Sequence, residues 1–298
     1  MLLIHVRESP VSSALYHRDH LTRKEKMSIQ SVLESLQLSR GSYAERPAFL
    51  HRCRMELEPF VYSYLKDTYG PAIDKAWETC TIPLVSDKAI LIVERRCHPN
   101  LEFTIKNAVY FAKGYSLHII CSQASGRFVQ GVCGSQLPNI HIHPVFNDIG
   151  TVERGKQEYN SLLKQAGFWS SFSEDYFLCM ETDSYLLRPI PAIIYDYPYV
   201  ASEWAWATGQ GGGLSHRKRS FMVEVCGLEG KHQQCEMQDT FAAEGIVALG
   251  YKYPEQEVFC ESTCEQGIAG THQWWTFACE CPTEQLEAYL SVFLTLEI

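Results

Sequence analysis

Tyr176-Phe177-Leu178-Cys179-Met180-Glu181-Thr182-Asp183 is the stretch on which the reading of this chain turns. Five consecutive apolar residues of strand-forming type read as a buried strand, and the run stops abruptly at two carboxylates. In open α/β sheets ligands lie outside the carboxyl ends of the strands, so Glu181 and Asp183 fall where a metal ion and a phosphate are held.

The surrounding sequence supplies the rest of such a sheet. Ala89 to Val93 reads as a short apolar strand, Asn100 as the N-cap of a helix through Ala112, and Leu117 to Cys121 as the next strand. Ile140 to Val145 follows as a strand and Gln157 to Ala166 as a helix, leading into the Tyr176 strand. Phe221 to Cys226 and Asp239 to Leu249 read as helices, and Pro282 to Leu294 as a closing helix with proline in its first turn. Strands alternating with helices imply an α/β fold with a Rossmann-type, mostly parallel sheet flanked by helices.

Residues 1–86 read differently. Lys24 to Leu38 and Arg46 to Thr68 carry apolar residues at helical spacing, among them Met27, Val32 and Leu36, then Met55, Leu57, Val61 and Leu65. The expected organisation is a helical N-terminal appendage over 1–86 and an α/β domain with a C-terminal helix over 87–298. The basic cluster from His17 to Lys26 reads as a solvated helix start, with contact to an anionic partner as the weaker alternative.

Composition narrows the partners. The 298 residues carry 35 acidic against 26 basic side chains, a formal charge of −9, whereas a duplex nucleic acid asks for a basic face. A nucleic-acid partner is therefore not expected, and the ligand is a smaller molecule. No apolar run approaches the roughly 20 residues that span a bilayer, and Met1 to Ile4 is too short for a signal-peptide core. The expectation is a soluble, cytoplasmic protein with no transmembrane segment. Twelve cysteines then read as buried thiols. The Cys260/Cys264 and Cys279/Cys281 spacings do not match a zinc knuckle, which leaves structural zinc as the weaker alternative.

Four clusters carry candidate chemistry. Glu181-Thr182-Asp183 offers hard oxygen ligands suited to Mg²⁺ or Mn²⁺, which keep positions open for phosphate oxygens. Gly209-Gln210-Gly211-Gly212-Gly213 reads as a loop whose backbone could approach a ligand closely, although its spacing matches neither a P-loop nor a dinucleotide fingerprint. His216-Arg217-Lys218-Arg219 after it reads either as positive charge near a diphosphate or as an exposed helix start. Asp239 is a candidate N-cap that in the same geometry could serve as general base. Gly270-Thr271-His272-Gln273-Trp274-Trp275 offers His272 as a further metal ligand. Trp204, Trp206, Trp274 and Trp275 read either as stacking faces for sugar rings or as core.

In their order along 88–277, these residues resemble a family of GT-A-like glycosyltransferases catalogued mainly as proteins of unknown function. Val93-Glu94-Arg95-Arg96 matches its Val-Glu-x-Arg, followed by Pro99-Asn100-Leu101-Glu102-Phe103 and Asn107. Tyr159-Asn160-x-Leu162-Leu163, Phe168-Trp169, Thr182-Asp183-Ser184 and Asp196-Tyr197 come next. The glycine run with Leu214-Ser215 and Arg217, Asp239, and Gly270-x-His272 with Trp275 complete the series. The resemblance implies sugar transfer from a nucleotide-diphosphate donor to a glycan acceptor, with Asp183 and His272 on the divalent metal. It implies Asp239 as the base of an inverting enzyme, and donor contacts from Glu94, Arg96, Thr182, Gly212 and Gly213. Trp204 and Trp274 are the candidate acceptor platforms.

Glu181 stands where the family more often has glutamine, so direct ligation by it stays open, and Gln210 stands where the family usually has the asparagine of Gly-Asn-Gly-Gly. Among named activities the resemblance extends to glycan-building transferases of large algal viruses, including an N-glycan xylosyltransferase, which implies UDP-xylose; composition itself selects no sugar. A non-catalytic carbohydrate- or nucleotide-binding module is the alternative.

Overall fold

A computed structural model describes Ser31 and residues 46–147, 151–203, 210–254, 269–273 and 293–298. Beyond Ser31, the first described element is helix α1 (Arg46–Thr79). Then come β1 (Lys88–Glu94), α2 (Leu101–Phe111), β2 (Ser116–Ser122), α3 (Gln123–Cys133) and β3 (His141–Phe146). The second half carries α4 (Val152–Leu163), α5 (Ala166–Ser170), β4 (Tyr176–Met180), β5 (Ser184–Leu186), β6 (Tyr199–Glu203) and β7 (Gln210–Lys218). It continues with α6 (Arg219–Gly227), α7 (Gln238–Ala248) and β8 (Gly270–His272).

Six strands form one sheet in the order β3-β2-β1-β4-β7-β6, in which β3, β2, β1 and β4 are parallel and β7 runs antiparallel to both neighbours. The apolar runs of β1 and β4 are explained by burial on both faces, as in parallel sheets covered by helices. Ile90, Ile92, Leu178 and Met180 point into one core, while Ala89, Leu91, Phe177 and Cys179 point into the other. The chain leaves β1 toward β2 and β3 on one side and returns to pair β4 on the other. The order therefore reverses between β1 and β4, the switch point at whose carboxyl ends open α/β sheets hold their ligands.

Helix α1 is not set apart from this sheet. Its Cys53, Leu57, Val61 and Leu65 are fully buried in the same core as Ile90 and Leu178, and the helix runs through Pro59 and Pro71 to Thr79. Met55, expected on the apolar stripe, is instead 60% exposed. The segment 24–38 lies, Ser31 apart, outside the described residues, as does most of 282–294.

Three further differences have local causes. Helix α3, which the sequence reading passed over, is launched by a capping box in which Ser122 and Ser125 each accept the other's backbone N–H. That motif uses serine at the third position instead of the glutamate that makes the pattern visible. Asn100 does stand at the start of α2 but makes no side-chain cap; its Nδ2 donates to Glu58 Oε1 of α1 at 2.8 Å. Gln210 to Gly213, expected as a loop, belongs to strand β7.

Candidate metal and donor site

The turn after β4 builds the site. Ser184 Oγ accepts the N–H of Glu181 at 3.0 Å and donates to the Glu181 carbonyl at 2.6 Å, while Glu181 N–H also donates to Gly213 O at 2.7 Å. This knot redirects the chain from β4 into β5, which pairs antiparallel with β8 in the register Ser184↔His272. Two segments almost ninety positions apart are thereby joined, and Asp183 and His272 are brought side by side.

Glu181, Asp183 and His272 each present a ligand atom within 4.8 Å of the other two. His272 Nε2 lies 3.2 Å from Asp183 Oδ1 and 3.8 Å from Glu181 Oε2. Gly213 N–H donates to His272 Nδ1 at 3.2 Å, which keeps Nε2 turned toward the two carboxylates. Gly213 also shapes the floor, because a Cβ there would lie 2.7 Å from His272 Nε2 and 2.9 Å from Glu181 Cβ. The expected close backbone approach is real, but its object is the ligand cluster.

Two carboxylates and an imidazole suit a hard or borderline divalent cation. Burial opposes charge on Asp183, but the facing His272, Arg54 and a hydrogen bond from Gln273 Nε2 (2.9 Å) hold its carboxyl well below the usual range. Burial and the neighbouring Asp183 charge push Glu181 the other way, upward. Gln273 adopts a left-handed backbone, φ 46°, a conformation that costs a side-chain-bearing residue on the order of 1 kcal/mol and keeps its amide on Asp183.

Three of the donor-side candidates, Glu94, Arg96 and Thr182, meet at the carboxyl ends of β1 and β4. Glu94 Oε1 accepts both the backbone N–H (2.7 Å) and the Nε (2.9 Å) of Arg96, and Oε2 accepts Arg96 Nη2 (2.7 Å) and Thr182 Oγ1 (3.2 Å). Glu94 and Thr182 are buried, whereas the Arg96 side chain is half exposed. The arrangement leaves a half-exposed guanidinium just beyond the end of β1.

Sequence reasoning missed the contribution of α1. Arg54 Nη2 lies 3.2 Å from Asp183 Oδ2, and Arg54 Nε donates to Glu58 Oε2 at 3.1 Å. One turn on, Tyr62 Oη donates to the Ser184 carbonyl at 3.1 Å. Glu58 is held in turn by Asn100 and faces His98 Nε2 at 3.6 Å. Burial and the Arg96 charge push the His98 imidazole down to about 4, so it is neutral and accepts the Asn100 N–H at Nδ1. The signal available was Arg54, Glu58 and Tyr62 at i, i+4 and i+8, a polar row beside the apolar Leu57, Val61 and Leu65.

Asp239 is not the N-cap of α7. That position is Met237, and Asp239 lies in the first helical turn, partly exposed, with Oδ1 accepting the Thr240 N–H at 2.7 Å. The helix start is instead secured from α4, where Asn160 Oδ1 accepts the Gln238 N–H at 2.7 Å. Among the described residues, Asp239 thus serves only Thr240 of the first turn, through Oδ1. The Tyr159 hydroxyl, next to Asn160, is hydrogen-bonded to Glu181, and Asp239 lies near enough to add to the upward pressure on that carboxyl.

His216 and Arg217 do not face a diphosphate. Both are buried in β7: His216 stacks on Tyr176 at 5.6 Å, and Arg217 lies against the rings of Tyr199 and Trp169. Burial pushes the His216 imidazole down to about 3. Gln210 is a strut between strands, its amide donating to Tyr199 O and accepting the Ala201 N–H. Gly212, with φ 139°, follows in the same strand. Trp204, Trp206, Trp274 and Trp275 lie outside the described residues, as do Cys260, Cys264, Cys279 and Cys281. Cys133 and Cys179 are buried thiols, pushed up to about 12 and about 11 by burial.

The described residues form an α/β domain whose mostly parallel sheet carries an acidic, histidine-containing cluster able to hold a cation. A family model described as "Protein of unknown function (DUF5672)" matches residues 146–281, from the end of β3 through β8. No curated protein matches the chain. Among the described residues, no helix is long and apolar enough to cross a membrane.

Proposed function

We propose that this protein is a metal-dependent, GT-A-like glycosyltransferase that moves a sugar from a nucleotide-diphosphate donor to an acceptor hydroxyl with inversion. The observation that carries the proposal is the convergence of Glu181, Asp183 and His272 beside the Glu94-Arg96-Thr182 corner, at the point where the strand order reverses. A divalent ion bound there, Mn²⁺ or Mg²⁺, supplies Lewis-acid neutralisation of the departing diphosphate.

Asp183, Glu181 and His272 would hold that ion. Gly213 keeps the floor low enough for His272 to reach it, and Gln273 aims Asp183. Thr182 and Arg96, ordered by Glu94, would bind the donor at this switch point. Asp239, one side of whose carboxylate is committed to Thr240, would take the proton from the acceptor hydroxyl at Oδ2, opposite the leaving group. A single displacement with the base on that face inverts the anomeric centre, by the stereochemical argument used for glycosidases. The acceptor is a glycan hydroxyl, and the donor a UDP-sugar, UDP-xylose being the first to test.

Purified protein with Mn²⁺ should slowly hydrolyse its UDP-sugar, and D183N should abolish turnover while the circular dichroism spectrum is unchanged. Undiminished turnover by D183N would remove Asp183 from the metal role. Tight sugar binding that depends on neither donor nor metal would favour a non-catalytic module.

A further inference from the structure

Arg54 is tethered at one edge and committed to an unusual partner at the other. Its Nε is fixed by Glu58 Oε2 at 3.1 Å, and Glu58 is itself clamped by Asn100 Nδ2 at 2.8 Å. The opposite edge, Nη2, lies 3.2 Å from Asp183 Oδ2, on a carboxylate whose other oxygen faces His272. Asp183 is almost wholly buried, while the Arg54 side chain keeps 37% of its surface in solvent. A guanidinium thus stands between solvent and the innermost ligand of the cluster.

We infer that Arg54 is a diphosphate-binding residue of the donor site: it neutralises Asp183 while no cation is bound, and turns its Nη2 edge to the donor's diphosphate oxygens once one is. The inference rests on the reading of the site as a metal-dependent nucleotide-sugar site. A cation at the cluster competes with Arg54 for the same carboxylate charge, which releases one edge of a planar donor whose other edge stays on Glu58. Guanidinium groups with a free pair of N–H bonds match phosphate oxygens in geometry and charge. Arg96, half exposed and held by Glu94, is near enough for its charge to act on Arg54 and for the Asp183 charge to act on it, so two guanidiniums lie beside the cluster.

The test separates this role from simple support of Asp183. In R54Q and R54K, Mn²⁺ affinity is measured alone, and inorganic pyrophosphate affinity is measured by calorimetry at saturating Mn²⁺. The expected result for R54Q is Mn²⁺ binding equal to or tighter than wild type, because a competing positive charge is gone. Pyrophosphate binding should weaken by about 10- to 100-fold, and R54K should recover part of it. Joint loss of Mn²⁺ and pyrophosphate binding in R54Q would make Arg54 a structural prop and overturn the inference. Unchanged pyrophosphate affinity would overturn it equally. Wild-type protein that binds Mn²⁺ but no pyrophosphate would defeat the donor-site reading itself, before any variant is compared.

Discussion

Adding one methyl group at Gly213 should dismantle the metal site. A Cβ built on Gly213 lies 2.7 Å from both Nε2 and Cδ2 of His272. An ordinary non-bonded contact begins near 3.5 Å, so the ring must retreat by about 0.8 Å. Metal-ligand distances are defined to about 0.2 Å, and the same methyl also presses on Glu181 Cβ at 2.9 Å. Two of the three ligands therefore shift by several times the tolerance of the bond they would make. G213A should lose at least about tenfold in Mn²⁺ affinity, the scale on which displaced ligand supports act. Overpacking should also cost about 1–3 kcal/mol of stability. G131A is the control, because nothing lies within 4 Å of a Cβ there and alanine in a helix is favoured by about 0.5–1 kcal/mol. Calorimetric Mn²⁺ titration and thermal melts on both variants provide the readout. Wild-type Mn²⁺ affinity in G213A would refute the argument that the glycine exists to let His272 and Glu181 meet.

Further outcomes follow from the same geometry. D239N should slow sugar transfer by about two to four orders of magnitude while leaving Mn²⁺ affinity and the melting temperature near wild type, as steady-state assays and titrations will show. Mn²⁺ affinity should fall as pH drops through a carboxyl range above the ordinary 4.5, because Glu181 must be ionised to ligate and its pKa is raised. E181Q should flatten that limb of the affinity profile. The depressed Asp183 pKa has the opposite sign: its contribution to stability is present above the ordinary carboxyl pKa and declines on acidification through the lower folded value, so pH-dependent melts of D183N should lack that increment. N160A removes the acceptor that caps α7 and should cost about 0.5–2 kcal/mol, read as a lowered melting temperature.

Much of the sheet was legible because its strands are buried on both faces. Ala89 to Val93, Leu117 to Cys121 and Tyr176 to Met180 are near-continuous apolar runs, and each forms a strand within a residue or so of the expected bounds. Helix α3 was not legible, since its start depends on a serine pair and its interior carries two glycines. The glycine run was read as a loop because composition says where a side chain is missing, not what fills the space. Only the pairings of β7 with β4 and of β5 with β8 show that Glu181 and His272 fill it.

Asp183 and His272 could be singled out from sequence, since a carboxylate pair after a buried strand and a histidine between a glycine and paired tryptophans carry their chemistry in residue type. The helical character of 46–68 was equally local, being a matter of spacing. What only the tertiary structure decided is adjacency: that β5 pairs with β8, so His272 meets Asp183, and that α1 turns Arg54, tethered by Glu58, toward the same carboxylate. The physical reason is range. Strand and helix signals arise between residues a few positions apart, whereas a binding site is assembled by hydrogen bonds and packing between segments whose separation along the chain leaves no trace in either one.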